Sequence, residues 1–233
     1  MSVPRPAPSV TLFGHWICPY SVRVSFALAE RGIEHDVVEV PPGAVRPEGF
    51  VVPPEFVEHS PRREIPMVRV GDEYRADSLP ILEWLEARVP GRPLLPADGD
   101  GRARVRERMA WVDANVFPPM IGIYYGTRAD RIARASDALE SALAEMGTWL
   151  DRGPWLAGEG PSLVEAAAVP VWVRLGALAR LGFTGRVDDR VAAHVDRCRG
   201  LEGWAHVAWS DAQTDELVGR FERHRANVRA GAG

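Results

Sequence analysis

The stretch Ser9–Arg31, SVTLFGHWICPYSVRVSFALAER, restricts what this chain can fold into more than any other. Val10, Leu12 and Phe13 read as a short apolar strand, and a tight connection follows. Val22, Phe26 and Ala29 then recur at helical spacing, with Arg23, Glu30 and Arg31 away from that stripe. Cys18 stands just before the helix and Pro19 takes its first turn, where an imino acid is tolerated because the first amides have no intrahelical partner. Gly32 closes the helix. Those free amides and the helix dipole put partial positive charge beside the sulfur. Reactive cysteines at helix N-termini titrate at roughly 3.5–7.5 instead of about 8.5, each unit favouring the thiolate by about 1.4 kcal/mol. The segment therefore predicts a reactive thiolate at Cys18.

His35–Val40 supplies a second strand, and two parallel strands joined by a helix make a right-handed βαβ unit. Pro41–Pro54 is a proline-rich surface loop, and Pro54–His59 a short helix. Met67–Val70, the Gly71-Asp72 turn and Glu73–Arg75 form a hairpin. A helix follows with Ile81, Leu82 and Leu85 on one face and Ser78 or Asp77 as its N-cap. Val89–Gly101 is rich in proline and glycine without periodicity, which sets the division: residues 1–88 an α/β half, 89–101 a linker, 102–233 an all-helical half. Arg102–Tyr125 reads as one long helix disturbed by Pro118-Pro119, and Arg128–Leu150 as another with Ile132, Ala135, Leu139, Leu143 and Met146 in its stripe. Ser162 with Glu165 three residues on is a capping box that opens one apolar helix through Gly182. Two further helices, 187–199 and 215–225, complete the bundle.

A net charge of -4 gives no electrostatic reason to expect nucleic acid or an anionic membrane as partner. All 28 basic residues are arginine, so the surface carries no titratable amine side chains. No run reaches the ~18 apolar residues of a membrane span, and the N-terminus has no signal-peptide core; the expectation is a cytoplasmic protein. Cys18 and Cys198 read as reduced thiols, Cys198 as filler. The histidines show no spaced pair suited to a metal, and no phosphate-binding glycine pattern occurs, so neither metal nor nucleotide is expected. His15 reads as a solvent-facing loop residue.

Four ordered stretches resemble the glutathione transferase superfamily: CPYSVRVSFALAERGI (Cys18–Ile33), PEFVEHSPRREIPMV (Pro54–Val68), ADSLPILEWLEARVPGRPLLPAD (Ala76–Asp98) and WLAGEGPSLVEAAAVP (Trp155–Pro170). The first is similar to the active-site helix of the cysteine-type, omega-like members. The resemblance implies a thioredoxin-like N-terminal domain followed by an all-α helical domain, glutathione as co-substrate and a homodimer. It also implies roles. Pro66 would be a cis-proline, letting the backbone of Ile65 pair with the cysteinyl amide of glutathione. Ser78 would hold the γ-glutamyl carboxylate, Asp77 would receive the ammonium, and Arg62 or Arg63 the glycyl carboxylate. Ser60-Pro61 and the charged Arg62-Arg63-Glu64 depart from the family pattern. They leave the glycyl subsite open, and with it the choice between glutathione and another low-molecular-weight thiol.

CPYS holds one cysteine, with Ser21 where a dithiol enzyme keeps its resolving thiol, so an internal disulfide cannot form. The accessible cycle uses one protein thiol: Cys18 attacks a mixed disulfide or small hydrophobic electrophile, and a second small thiol releases it. The expected electrophile pocket lies between the domains, walled by Trp16, Ile17 and Tyr20 from the first and Trp111, Phe117, Tyr124 and Tyr125 from the helical one. Trp172 is assigned to the core. Isomerisation or conjugation on the same thiol, or a non-catalytic binding role, are the alternatives.

Overall fold

The computed structural model describes residues 8–231. Its first half runs β1 (Val10–Gly14), α1 (Pro19–Glu30), β2 (Asp36–Glu39), α2 (Pro54–His59), β3 (Met67–Val70), β4 (Glu73–Ala76) and α3 (Ser78–Arg88). The remainder is helical: α4 (Gly99–Asn115), α5 (Phe117–Tyr125), α6 (Ala129–Trp149), α7 (Leu163–Trp172), α8 (Leu175–Leu181), α9 (Asp189–Cys198), α10 (Glu202–Val207) and α11 (Asp211–Gly231). Two compact units result. One runs to Leu95 and takes in Glu202–Val207; the other comprises Pro96–Leu201 and the chain from Ala208.

The strands form one mixed sheet in the order β2-β1-β3-β4. β1 pairs in parallel with β2, Leu12 opposite Val37, as the helical crossover requires. β3 is antiparallel to β1, Leu12 opposite Val68, and hairpins with β4 through Gly71 at φ 59. Alternation along β1 sorts its side chains. Val10 and Leu12 join Val24, Leu28, Ile81 and Leu85 on the face covered by α1 and α3. Phe13 turns to the other face, with Val40, Phe56 and Met67. Both faces of β1 are thereby covered, which explains its unbroken burial.

α1 is buried far beyond the stripe read from sequence. Arg23, Glu30 and Arg31, expected off that stripe, are 0%, 3% and 4% exposed. Each has at least one polar partner, as a buried charge requires. Arg23 donates to Ser78, and Arg31 donates to the carbonyls of Val89 and Arg92 and pairs with Glu86. Glu30 accepts from Arg92 and from the Gly203 amide. The last contact explains why α10 joins the first unit when the sequence reading leaves it in the helical half. Gly203 has no side chain, and a Cβ there would stand 2.7 Å from the Phe26 carbonyl oxygen. Only glycine lets α10 lie this close to α1.

In the helical unit the single long element expected over 102–125 is two helices. Pro118 and Pro119 lack the amides that would continue α4, so they occupy the first turn of α5, where none is needed. The apolar helix after Ser162 is likewise broken, at Val173-Arg174, into α7 and α8. The capping box is formed: Ser162 Oγ accepts from the Val164 amide, and Glu165 accepts from the Ser162 amide at 2.8 Å. Glu165 also accepts from the Leu156 amide at 2.6 Å, tying the preceding loop to the helix start. Arg225 of α11 donates to the carbonyls of Ile123, Tyr124 and Leu181, closing the C-terminal ends of α5 and α8. Among the described residues no helix is long and apolar enough to cross a membrane.

Candidate active site

Cys18 occupies the N-cap position of α1, with extended backbone (φ -80, ψ 118) and Pro19 next. Its amide donates to the His15 carbonyl at 3.0 Å, closing the turn out of β1, and its own carbonyl accepts from Val22. The Sγ donates to the Ile65 carbonyl at 3.8 Å, and the Ile65–Pro66 peptide is cis. The residue is buried, keeping 7% of its surface. His15 is half-buried, not solvent-facing as expected: its Nδ1 accepts from the Ile17 amide at 3.2 Å. The neutral ring therefore carries its proton on Nε2. Ser21 is buried against Gly14, and its hydroxyl has no hydrogen-bond partner among the described residues.

Ser78 is the first residue of α3 and Asp77 its N-cap, but neither acts as the side-chain cap that sequence suggests. Asp77 stands at φ 75, a conformation that costs a non-glycine residue of order 1–3 kcal/mol, and it turns its carboxylate out to Arg62 at 3.8 Å. Arg62 also pairs with Glu64 at 2.9 Å, and its side chain is 68% exposed. Arg63 is exposed at φ 54. Ser78 is buried, and its Oγ accepts from Nη1 of Arg23 at 3.1 Å. Cys18 thus meets the backbone of Ile65 at the start of α1, and Asp77 and Ser78 open α3 in the same unit.

Arg23 is the participant that sequence reading passed over. Its guanidinium lies 5.3 Å from the Tyr20 ring centroid, one helical turn back. The available signal was a charge inside a helix whose other charged residue, Glu30, comes only at its end. Trp16 and Tyr20 are half-buried and Ile17 buried in the same unit.

The residues nominated in the helical unit fall apart by environment. Phe117 and Tyr124 are buried, at 1% and 3% exposed; Tyr124 stacks on Phe221 at 4.7 Å. Its hydroxyl has no hydrogen-bond partner among the described residues, and burial pushes the phenol well above its ordinary range. Tyr125 is exposed, its ring edge-on to Phe221 and His224. Trp111 meets Trp149 edge-on at 5.0 Å and lines a shallow groove of about 580 Å³ with Asn115, Pro119 and Glu145. Cys198 is in the core, as is Trp172, and the sulfur lies 3.4 Å from His194 Nε2.

A four-stranded mixed sheet flanked by helices, with a cis-proline opening β3, is a thioredoxin-like domain, and an all-helical unit follows it. Residues 17–88 match the glutathione S-transferase N-terminal domain family. The chain is 28% identical over 175 residues to a maleylpyruvate isomerase from Ralstonia sp, covering 68% of this chain and 79% of that protein. Among solved structures, GST1 from rice, in complex with glutathione, superposes with a TM-score of 0.79 at 22% identity, covering 94% of this chain and 97% of that one. Glutathione transferase Omega 3C from Trametes versicolor superposes with a TM-score of 0.78 at 22% identity, covering 97% and 94%. The match places residues 17–88 in that domain family, and the chain as a whole has the fold of these transferases.

Proposed function

We propose that this protein is a glutathione-dependent transferase or oxidoreductase of the cysteine type, in which the Cys18 thiolate performs thiol transfer or reductive deglutathionylation of a small electrophile. The observation that carries the reading is the Cys18 sulfur at the start of α1, 3.8 Å from the carbonyl that precedes a cis-proline. The glutathione complex of the rice relative supports glutathione as the co-substrate. Another low-molecular-weight thiol is the alternative left by the charged Arg62–Glu64 segment. The reading includes a cytoplasmic homodimer, as the family resemblance implies.

In this reading the backbone of Ile65 pairs with the cysteinyl amide of glutathione and takes the carbonyl away from the Cys18 thiol. The Ser78 amide and hydroxyl receive the γ-glutamyl carboxylate at the N-terminus of α3, where free amides suit an anion. Because Ser78 Oγ already accepts from Arg23, its hydrogen is left to point at that carboxylate. Asp77 takes the ammonium, and Arg62 or Arg63 the glycyl carboxylate. Asp77 and Arg62 face solvent, with side chains 55% and 68% exposed. An exposed ion pair is worth about 0–1 kcal/mol, so exchanging it for the ligand's own charges costs little. Trp16, Ile17 and Tyr20 offer the electrophile apolar surface.

The Cys18 thiolate attacks the glutathionyl sulfur of a mixed disulfide R–S–S–G. That S–S bond breaks, R–S⁻ leaves and takes a proton from solvent, and Cys18 holds the glutathionyl group as a disulfide. A second glutathione thiolate attacks the glutathionyl sulfur, releasing glutathione disulfide and regenerating the Cys18 thiolate. Ser21 offers no resolving sulfur, so the second thiol comes from solution. Isomerisation of an activated alkene, by thiolate addition, bond rotation and elimination, is a second reading favoured by the similarity to the Ralstonia isomerase.

The test is turnover of a model glutathionyl disulfide with glutathione by wild type, Cys18→Ala and Cys18→Ser. Activity lost in both variants supports thiol transfer. Conjugation gained by Cys18→Ser marks a site that binds glutathione but uses its thiol differently. No turnover and no glutathione-dependent thermal shift in wild type overturns the enzymatic reading.

A further inference from the structure

Two histidines separated by 171 positions meet on the first unit. His35 lies in the connection into β2 and His206 near the end of α10, with ring centroids 5.5 Å apart and planes crossing at 63°. No local spacing joins them, so the pair is visible only in the fold. Their environments prepare one side for ligation. His35 Nδ1 lies 3.0 Å from the Ile33 carbonyl, which can only accept, so the ring proton sits on Nδ1. In the neutral ring Nε2 then keeps a free lone pair, and that atom is buried with no hydrogen-bond partner among the described residues. A ring fixed by donating its other nitrogen to a backbone carbonyl is the arrangement that orients a metal-binding histidine.

We infer that His35 and His206 form a two-imidazole site for a divalent transition cation, with Zn²⁺ as its representative, that fastens α10 to the connection between α1 and β2. Zn–N distances are about 2.0–2.1 Å and a ring centre lies about 1.2 Å behind its ligating atom, so two imidazoles on one tetrahedral ion have centroids roughly 5 Å apart. The observed separation needs only a small adjustment, and His206 is exposed, which leaves it free to turn. Imidazole prefers zinc, copper and nickel to magnesium or calcium, so the site discriminates by chemistry. Among the described residues no group of three or more His, Cys, Asp or Glu could hold an ion. Water therefore completes the coordination, and the ion exchanges readily. The site's consequence is structural. α10 comes from the far end of the chain, and an ion shared between it and His35 resists its release from α1.

The experiment uses the untagged full chain with Zn²⁺ alone, Mg²⁺ as the control cation, and the variants His206→Gln and His35→Gln. Calorimetric titration of wild type should show one Zn²⁺ per chain, with a rise in Tm that Mg²⁺ does not produce. Either substitution should weaken Zn²⁺ binding at least tenfold and abolish the Tm rise. His206 is exposed, so its variant folds and reads the site even if His35→Gln does not. Zn²⁺ binding that persists unchanged in His206→Gln, or wild type that binds no Zn²⁺ at millimolar concentration, overturns the inference.

Discussion

Replacing Ser78 by alanine removes the hydroxyl that accepts from Arg23 at 3.1 Å. Both residues are buried, at 1% and 0% exposed, so solvent cannot replace the acceptor without disturbing the packing of α1 on α3. A hydrogen bond to a charged group contributes about 1.5–3 kcal/mol, a factor of roughly 10 to 150 in the folding equilibrium. For a chain of this size that corresponds to a Tm lower by roughly 3–12 °C. The same hydroxyl is assigned to the γ-glutamyl carboxylate, so KM for glutathione should rise in parallel. Urea denaturation of wild type, Ser78→Ala, Arg23→Met and the double variant separates these effects. The two single losses should exceed the double loss, with a coupling energy of about 1–3 kcal/mol. Additivity to within about 0.5 kcal/mol would show that the contact contributes nothing to stability and would refute the assignment of Arg23 as the residue that orients Ser78.

Three further outcomes follow from the packing. His194 is fully buried between Trp155, Trp172 and Glu165, and burial lowers its pKa to about 4. The unfolded chain then binds a proton near pH 6.5 that the native chain refuses, so stability should fall by about 2–4 kcal/mol as pH drops from about 6.5 to about 4. Glu165, whose carboxyl burial raises, takes up its proton first in the native state and opposes this slope; urea denaturation of His194→Gln against wild type across that window isolates the histidine. Gly203→Ala should destabilise the first unit by about 1–3 kcal/mol, because the new methyl meets the Phe26 backbone oxygen, whereas Gly200→Ala, with only an ordinary contact at 3.5 Å, should be within about 0.5 kcal/mol of wild type by denaturation. Glu165→Ala strips acceptors from the Ser162 and Leu156 amides and should cost about 2–4 kcal/mol, read as a lower urea midpoint.

The elements around Cys18 were legible because each is written locally: an apolar run in β1, proline in the first turn of α1 and a glycine-aspartate hairpin, as is the serine-glutamate capping box of α7 in the other unit. The all-helical second half was legible for the same reason. What was hidden depends on residues distant in sequence. Arg23, Glu30 and Arg31 look like a solvated face until α3, the Val89–Arg92 segment and α10 supply their partners. The two helix breaks were hard to fix because a proline allows either a kink or a fresh start. The ring pair of His35 and His206 follows from Gly203, whose missing side chain is meaningful only once α10 is seen against α1.

The account rests on Cys18 as the one sulfur that exchanges. Wild type incubated with glutathione disulfide near neutral pH, quenched in acid and mapped by mass spectrometry, tests this directly. One glutathionyl group should appear on Cys18 and none on Cys198, which is fully buried, and excess glutathione should remove it with release of glutathione disulfide. A folded protein that takes up no glutathionyl group, or takes it up at Cys198 while Cys18 remains unmodified, would contradict the account.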